Sequence, residues 1–341
     1  MKNKEYGGYL PLELNNGEEY FKEEHRLIRF NSIKSGITFA ISKVRPKRVL
    51  VPFYYCPTTI EHIRKVCDIS FYHVDEQLCP FDYEAFREDD RTDVVIILVD
   101  YFGTRYEEIV ELANKISKAT ILLDFAHDFY AKPLIRSNVY NLYSAKKFFG
   151  VPDGSYVVSH DITCYDTEKY KKLSMSGDYN SYLIESYEKG TNAAYLKKKD
   201  ADKIIASRYD TMSILARGLL KNVNYARVRE RRISNFNILN NSLSMYNHYS
   251  IDNSRQYPAY YYPLMVADMD DIICERIKNT IVNNKIYIPT MWVGDALRVE
   301  GLPYEKRFTS RFIFLPIDQR YNIDDMIYIS ERVIRVINEY S

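Results

Sequence analysis

Two ionisable side chains stand where an α/β sheet would expose them to a ligand. Asp124 stands at the end of the apolar strand predicted in TILLDFAHDF, and Lys147 lies with Lys146 in the segment between the runs NVYNLYS and GSYVVS. A lysine beside two phenylalanines, Phe148 and Phe149, loses its proton more readily than a solvated one, as imine chemistry requires. A buried carboxylate can pair with a protonated ring nitrogen, although an aspartate at a strand end is often only a helix cap or a loop anchor. From these residues alone, both interpretations stay open.

Other catalytic arrangements find little support in the sequence. The six histidines show no HxH or HExxH spacing, and no G-x-S-x-G turn follows a strand, so neither a metal site nor a Ser-His-Asp hydrolase is expected. His127 follows Asp124 closely and is the histidine to consider first. A histidine at that position can serve a ligand, or it can simply pack and hydrogen-bond the loop.

Short β-branched runs alternate with amphipathic stretches between about residues 48 and 160, which predicts a parallel or mixed sheet covered by helices. In the clearest unit, apolar residues recur at helical spacing from Arg105 to Ser117, between strands that end near Asp100 and Asp124. Ligands of such sheets bind beyond the carboxyl ends of the strands. The elements therefore place Asp124 and the loop that carries Lys147 where a ligand would bind.

The rest of the chain predicts more helix than strand. The polar stretch 161–210 indicates helices and loops outside the sheet, and one long helix is predicted from Thr211 to Leu243. Its basic cluster RVRERR is expected on a solvated face. The tail predicts a strand (YYYPLMVAD), a helix, two strands (KIYIPTM and RFIFLPI) and a closing helix. We therefore expect a large domain over residues 1–220 and a small C-terminal α/β domain over 221–341.

Composition narrows the possible classes of protein. The 341 residues are 46% hydrophobic, which is enough for a sizeable core, and 47 Lys+Arg nearly balance 46 Asp+Glu, so no charge excess favours nucleic acid. No apolar run approaches the ~18 residues of a membrane span, so no membrane association is expected. The five cysteines include no CxxC pair, and the first residues lack a signal-peptide stretch. Together these features favour a reducing cytoplasm.

Several segments, in order along the chain, resemble those of the DegT-type sugar aminotransferases, a fold-type-I family that uses pyridoxal 5'-phosphate (PLP). LLDFAHDF resembles the family's DAAH or DAAQ motif, and YSAKKFFGVPDG resembles the segment in which a lysine is followed by an acidic residue and glycine. KSGITFAI resembles the SGT-containing segment at the start of a helix. Similar segments around VLVPFYYCPTTIEHI, ILVDYFGTRYEEI and RFIFLPIDQRYNIDDM extend the resemblance over most of the chain.

The resemblance implies catalytic roles for three residues. Matching the acidic residue and glycine to Asp153–Gly154 selects Lys147 over Lys146 as the lysine that forms the Schiff base with PLP. Asp124 would pair with the pyridine nitrogen of the cofactor. His127 would lie near the face that carries the cofactor's hydroxyl group.

The resemblance also implies a phosphate site at a helix N-terminus. Ser35, Gly36 and Ile37 would contribute to it, and Ser144 matches the position of a phosphate-binding serine in many relatives. The family has threonine where this chain has Ile37, so that hydroxyl contact is lost or moves to Thr38.

Other positions depart from the family pattern. The aromatic residue that stacks on the cofactor ring matches Cys56, which leaves Tyr55, or Tyr54, as the nearest candidates. Tyr209 stands at the position of an asparagine through which one subunit reaches its partner's site. Asp318 replaces a histidine that often follows the LP pair near the end of the chain.

The activity that the resemblance implies is transfer of an amino group from an amino acid, with glutamate expected, to a keto-sugar nucleotide in surface-polysaccharide biosynthesis. It also implies a homodimer whose shared active site is completed by the partner's residues between about 161 and 215. Two alternatives remain: another PLP enzyme, such as a dehydratase, racemase or lyase, and a non-catalytic protein with the same fold. Spacing does not decide the reaction class, whereas the retained lysine argues against a pure scaffold.

Overall fold

A seven-stranded, mostly parallel sheet forms the centre of the computed structural model, which describes residues 10–22, 26–266, 269–292 and 302–340. Its strands are β1 (Leu27–Phe30), β2 (Arg48–Pro52), β3 (Asp68–Tyr72), β4 (Val94–Val99), β5 (Thr120–Phe125), β6 (Val139–Ser144) and β7 (Ser155–Val158). They lie in the order β1-β7-β6-β5-β4-β2-β3, in which β7 runs antiparallel to both of its neighbours and the other pairs are parallel. The predicted α/β class with a mostly parallel sheet is confirmed.

The α-helices of residues 26–243 pack on this sheet or extend beyond it. They are α1 (Ile33–Val44), α2 (Pro57–Arg64), α3 (Tyr106–Lys115), α4 (Cys164–Lys169), α5 (Ser181–Lys189), α6 (Tyr195–Ala206), α7 (Ile214–Leu220) and α8 (Tyr225–Leu243). Helix α1 packs on β6 and β7, and α3 packs on β4. Because both faces of the sheet are covered, β4 and β5 are buried along their whole length; β4 is a continuous apolar run, and β5 is apolar except for Thr120 and Asp124.

A second, two-stranded antiparallel sheet pairs β8 (Tyr261–Met265) with β9 (Phe312–Pro316). Helix α9 (Asp271–Asn283) and two further helices, Pro303–Arg311 and Ile323–Tyr340, belong to this C-terminal part of the chain. Its hydrophobic core includes Phe236, Leu264 and Val333. The small α/β unit expected at the C-terminus is present, and the division between residues 220 and 221 stays a prediction. No helix in the described ranges combines the length and the apolar character needed to cross a bilayer.

The single helix predicted from Thr211 to Leu243 is wrong, because the structure contains α7 and α8 with a break between them. In the break, the Asn222 side chain donates to the Gly218 carbonyl of α7 at 2.8 Å. The Asn224 side chain accepts from the Arg227 N–H of α8 at 3.0 Å. These side chains satisfy backbone groups that a continuous helix would have satisfied itself, so they stabilise the interruption.

The strand predicted for KIYIPTM is also wrong, since residues 285–291 pair with no strand in the described parts of the chain. Lys285 has a left-handed backbone with φ of 63°, and Pro289 has no N–H to offer a neighbouring strand. Ile286 and Met291 are nevertheless buried. The apolar pattern of this segment therefore reports burial rather than strand pairing.

Candidate active site

The carboxyl ends of β5 and β6 border a cavity of about 940 Å³. The predicted site residues that line it are Tyr55, Asp124, His127, Ser144 and Lys147. The other three predicted residues, Ser35, Gly36 and Ile37, lie within α1 and do not line it. The parallel strands thus bring the predicted carboxylate and amine into one cavity, as their positions at strand ends indicated.

Asp124 is buried near the end of β5, with 4% of its surface exposed. One carboxylate oxygen accepts a hydrogen bond from the Tyr55 hydroxyl at 2.5 Å, and the other accepts one from the Ala126 N–H at 2.9 Å. Burial raises the pKa of Asp124, whereas the Tyr55 hydrogen bond and the positive charge of Lys147 lower it. Directed donors therefore support the ionised carboxylate in a site where burial opposes ionisation.

The two adjacent lysines have different partners. Lys146 pairs with Asp202 of α6 at 2.6 Å. The Nζ of Lys147 instead lies over the Tyr260 ring, 5.5 Å from its centroid. Burial lowers the pKa of Lys147, and the negative charge of Asp124 opposes this effect. Lys147 is thus an amine that can give up its proton in a cavity, as a nucleophilic lysine must.

His127 is buried among aromatic rings. Its ring centroid lies 5.3 Å from that of Tyr260 and 5.6 Å from that of Trp292, with interplanar angles of 17° and 10°. The Phe102 N–H donates to Nδ1 at 3.3 Å, so Nε2 carries the proton of the neutral ring. Burial, together with the charge of Lys147, lowers the pKa of His127 well below its usual value. The ring is therefore a neutral hydrogen-bond donor at Nε2.

The predicted phosphate contacts hold α1 on the sheet. The Ser35 hydroxyl is fully buried and donates to the Asn31 side chain at 2.6 Å. A Cβ at Gly36 would come within 2.7 Å of the Val157 side chain, so only glycine permits this close approach to β7. Ile37 is fully buried in the core. These contacts explain the residue types at the three positions without a ligand.

The residues at the start of α1 that line the cavity are Ser32, Ile33 and Lys34. They stand three positions before the predicted phosphate contacts. Ser32 caps the helix, and the first N–H groups of a helix have no acceptor within it, which favours an anion there. Lys34 adds an amine, although burial lowers its pKa. The Thr38 hydroxyl hydrogen-bonds the ring of His62 at 2.7 Å, and Thr38 does not line the cavity.

Tyr55, Cys56 and Trp292 form another part of the cavity wall. Tyr55 directs its hydroxyl at Asp124. Cys56 precedes α2 and lines the cavity; although burial opposes ionisation, hydrogen bonds from neighbouring threonines and the charge of Lys147 lower the pKa of its thiol. Trp292 lines the cavity as well and packs edge-on against the buried Tyr54 at 4.7 Å. The sequence motifs did not indicate Trp292, because it lies far along the chain from Tyr55 and Cys56.

Helices α5 and α6, from the polar stretch 161–210, form one wall of this chain's own cavity. Asp202 of α6 pairs with both Lys146, at 2.6 Å, and Lys198, at 2.8 Å. Together with Lys34, the lining on this side holds three lysines around one carboxylate and is net positive. Tyr209 shares a hydrogen bond of 2.9 Å with a neighbouring tyrosine and does not line the cavity.

The C-terminal part supplies a wall whose charged residues the sequence analysis did not assign to the site: Arg232, Asp318 and Arg320. Arg320 holds Asp318 through two hydrogen bonds of 2.7 and 2.8 Å. The cluster RVRERR was expected on a solvated helix face. Arg227 is exposed as expected, but the prediction is wrong for Arg232, which is 2% exposed. The available signal was helical spacing, since Arg232 follows the buried Val228 by one turn.

Solved structures share this fold. A protein of Streptococcus pneumoniae described as a sugar aminotransferase, in its apo form, gives a TM-score of 0.68 at 16% identity over 92% of this chain and 86% of that chain. PseC of Helicobacter pylori, an aminotransferase of pseudoaminic acid biosynthesis, gives 0.61 at 14% identity over 92% and 87%. A DegT DnrJ EryC1 StrS aminotransferase of Brucella abortus gives 0.60 at 15% identity over 91% and 85%. No protein-family model and no curated protein sequence matches the chain.

The chain therefore has the fold of the PLP-dependent aminotransferases of fold type I, and the solved structures similar to it include sugar aminotransferases and a DegT DnrJ EryC1 StrS aminotransferase. The fold expected from the sequence motifs is confirmed. At these identities the likeness establishes the architecture, and the chemistry has to be argued from the cavity.

Proposed function

We propose that this protein is a PLP-dependent aminotransferase in which Lys147 binds the cofactor covalently. The observation that carries the proposal is the convergence of Lys147 and Asp124 in one cavity, at the carboxyl edge of a sheet whose solved counterparts are aminotransferases. The S. pneumoniae counterpart is known in a PLP form and in a PMP form. Those are the two forms between which the cofactor alternates when an amino group is transferred.

The residues of the cavity fit PLP. The N-terminus of α1 with Lys34 offers an anion site for the phosphate, and Asp124 offers a buried carboxylate for the ring nitrogen. The Nε2–H of His127 offers a neutral donor for the ring hydroxyl. Cavities of ~300–1,000 Å³ hold drug-sized ligands, so a cavity of about 940 Å³ has room for the cofactor and for substrate groups beside it.

Each of these residues has a task in amino-group transfer. When bound, PLP withdraws electrons from the substrate and makes its α-proton acidic. Lys147 accepts this proton at Nζ and then returns it. Its lowered pKa increases the fraction of unprotonated amine that can accept the proton, and it makes the return of the proton easier. Asp124 holds a proton on the ring nitrogen through its negative charge, which Tyr55 and Lys147 support. His127 donates its hydrogen bond without adding charge.

The proposed donor is an amino acid, and the proposed acceptor is a keto-sugar nucleotide of surface-polysaccharide biosynthesis. The solved counterparts described as sugar aminotransferases support the acceptor class, and one of them acts in the biosynthesis of pseudoaminic acid. The lysines on the α1 and α6 side of the cavity give a net positive wall that suits a phosphorylated ligand.

The proposed assembly is a cytoplasmic homodimer of chains with a large domain (1–220) and a small domain (221–341). Large apolar side chains of α5 and α6, namely Ile184, Tyr187 and Leu196, are 60%, 93% and 72% exposed. Exposed apolar groups in one region mark interaction surfaces. These helices also wall the cavity, so a partner that covers them would help to close it.

Absorption spectroscopy with added PLP, followed by borohydride reduction and peptide mapping, tests the central assignment. We expect the label on Lys147, its loss in Lys147→Ala and its retention in Lys146→Ala. A label on Lys146, or on neither lysine, refutes the assignment. Conversion of PLP to its amine form by glutamate indicates aminotransfer, whereas turnover without that conversion indicates dehydratase, racemase or lyase chemistry. Failure to bind PLP at all would point to a non-catalytic protein.

A further inference from the structure

Two adjacent lysines, Lys146 and Lys147, line the cavity from the loop between β6 and β7. Burial lowers the pKa of both amines, so burial alone does not distinguish them. An aldehyde reacts with an unprotonated amine, which each of these lysines supplies more readily than a solvated lysine does. The proposed nucleophile therefore has a second candidate one position earlier in the chain, and some feature of the cavity has to distinguish the two.

The two amines have different surroundings. The Nζ of Lys147 lies over the Tyr260 ring, 5.5 Å from its centroid. The Nζ of Lys146 lies over the Tyr182 ring of α5 at the same distance, and it also donates to the Asp202 carboxylate of α6 at 2.6 Å. Within the part of the chain that the structure describes, only Lys146 of the two has a carboxylate at ion-pair distance.

Asp202 is held in the ionised state by two ammonium groups. One of its oxygens accepts from Lys146, and the other accepts from Lys198, one turn earlier in α6, at 2.8 Å. Burial opposes ionisation, but the charges and hydrogen bonds of the two lysines lower the pKa of Asp202. The carboxylate in turn favours the protonated form of Lys146, whereas Lys198 disfavours it. Asp202 is thus the group that opposes loss of the Lys146 proton most directly.

Hydrogen bonds fix the helices that carry Asp202 on the lysine loop. The Tyr182 hydroxyl donates to the Val151 carbonyl at 3.0 Å, and the hydroxyl of Tyr179, just before α5, donates to the Asp153 carboxylate at 2.7 Å. Both tyrosines are buried. The ion pair therefore belongs to a packed contact between two fixed segments, where it is worth more than a pair between two freely moving side chains on the surface.

We infer that Asp202 selects between the two lysines: it holds Lys146 as a protonated cation, so that only Lys147 reacts with the PLP aldehyde. The inference rests on the proposed function. In the reaction, the Nζ of unprotonated Lys147 bonds to the aldehyde carbon, and the two amine hydrogens leave with the aldehyde oxygen as water. The ammonium group of Lys146 has no free electron pair for this step. Asp202 determines which amine reacts without itself taking part.

Brief treatment of the cofactor-free protein with a limiting amount of acetic anhydride, read by mass spectrometry, measures the reactivity of each amine without PLP or turnover. In the wild-type protein, Lys147 should be acetylated severalfold more than Lys146. Asp202→Asn should increase acetylation of Lys146 roughly fivefold to tenfold, because a charge-assisted hydrogen bond is lost at a half-exposed carboxylate. Asp200→Asn, which removes an exposed α6 carboxylate paired with Lys203 at 2.9 Å, is the control and should change neither amine.

Borohydride reduction of the protein after addition of PLP, followed by peptide mapping, tests the selection itself. Lys147→Ala should carry no label on Lys146, because Asp202 still holds that amine protonated. Lys147→Ala combined with Asp202→Asn should be labelled on Lys146. The matched control, Lys147→Ala combined with Asp200→Asn, should stay unlabelled.

The outcomes separate the inference from the proposed function. Equal acetylation of the two lysines in the wild-type protein, unchanged acetylation of Lys146 in Asp202→Asn, or a label on Lys146 in Lys147→Ala overturns the inference. So does an unlabelled combined Lys147→Ala and Asp202→Asn variant when the wild-type protein is labelled on Lys147. If the combined variant does not fold, the acetylation of the wild-type protein and of Asp202→Asn still decides. A wild-type protein that shows the expected acetylation but takes no PLP label on either lysine refutes the proposed function and leaves the pairing of Lys146 with Asp202 in place.

Discussion

The substitution Tyr55→Phe removes one hydroxyl from the candidate site and leaves the ring in place. That hydroxyl donates at 2.5 Å to Asp124, where burial already raises the pKa of the carboxyl group. A hydrogen bond to a charged acceptor contributes about 1.5–3 kcal/mol, and one to a neutral acceptor about 0.5–1.5 kcal/mol. The variant should therefore lose about 1.5–3 kcal/mol of unfolding free energy while Asp124 is ionised, and less when it is protonated.

The sign of the pH dependence follows from the raised pKa of Asp124. A carboxyl group whose folded pKa lies above its unfolded value contributes stability at acid pH that is lost as the pH rises through the folded pKa. Without the Tyr55 donor that pKa rises further, so the loss extends to higher pH. The difference between the wild-type protein and Tyr55→Phe should thus be larger at neutral pH than at acid pH.

Chemical denaturation of the cofactor-free protein at acid and at neutral pH measures this difference. Tyr54→Phe is the matched control, because the adjacent Tyr54 is fully buried and its hydroxyl has no hydrogen-bond partner among the described residues. Removing an unsatisfied buried hydroxyl should be neutral or stabilising. Equal effects of the two substitutions, or a Tyr55→Phe effect that does not grow towards neutral pH, would refute the reasoning.

Four further predictions concern the cofactor and the assembly. Asp124→Asn should keep the fold but add several kcal/mol to the barrier for α-proton removal, at ~1.4 kcal/mol per tenfold in rate; near-normal single turnover with glutamate would count against it. Because burial and Lys147 lower the pKa of His127, an NMR titration should find that the imidazole resonances absent from His127→Gln do not shift near the ordinary histidine value of about 6.5, and a clear shift there would contradict the neutral ring. Lys34→Ala should weaken PLP binding roughly tenfold in an absorbance titration and leave pyridoxal, which has no phosphate, unaffected; equal losses would place the phosphate elsewhere. Sedimentation should show a dimer at micromolar concentration, and a monomer with full PLP occupancy would exclude a shared site.

The strands that position the site could be predicted because both faces of the sheet are covered. β4 is an unbroken apolar run of strand length, and Asp124 is the charged residue next to the end of β5. β6 was predicted from the next run, NVYNLYS, and the loop that carries Lys147 begins where this strand ends. The local sequence pattern was sufficient here because a short, continuous apolar run is typical of a strand that is buried on both faces of a sheet.

The start of α1 depends on more than the local sequence pattern. The segment NSIKSG offers two serines, Ser32 and Ser35, and either is a good helix cap. The choice falls on Ser32 because β1 ends at Phe30, and β1 is a four-residue edge strand whose pairing with β7 its own sequence does not reveal. The cavity is lined by the residues at the very start of this helix, and the phosphate contacts at Ser35, Gly36 and Ile37 stay a prediction.

The burial of Arg232 and the lack of strand pairing at residues 285–291 are also set by tertiary structure. An arginine in a basic cluster is expected in solvent, and only the packing of α8 against the C-terminal sheet encloses it. Residues 285–291 alternate like a strand, but a strand needs a partner as well as a pattern. In both cases the missing information lies in contacts between segments far apart in the sequence.

Trp292 is the one tryptophan among the 341 residues, and it lies in the cavity wall. Its indole packs against Tyr54 at 4.7 Å and lies nearly parallel to His127 at 5.6 Å. The protein consequently carries its single indole at the candidate active site, and excitation at wavelengths that its tyrosines do not absorb isolates the emission of that one side chain. Energy transfer to a chromophore held in this cavity would quench that emission, so the intrinsic fluorescence alone can report how fast the cavity fills and empties.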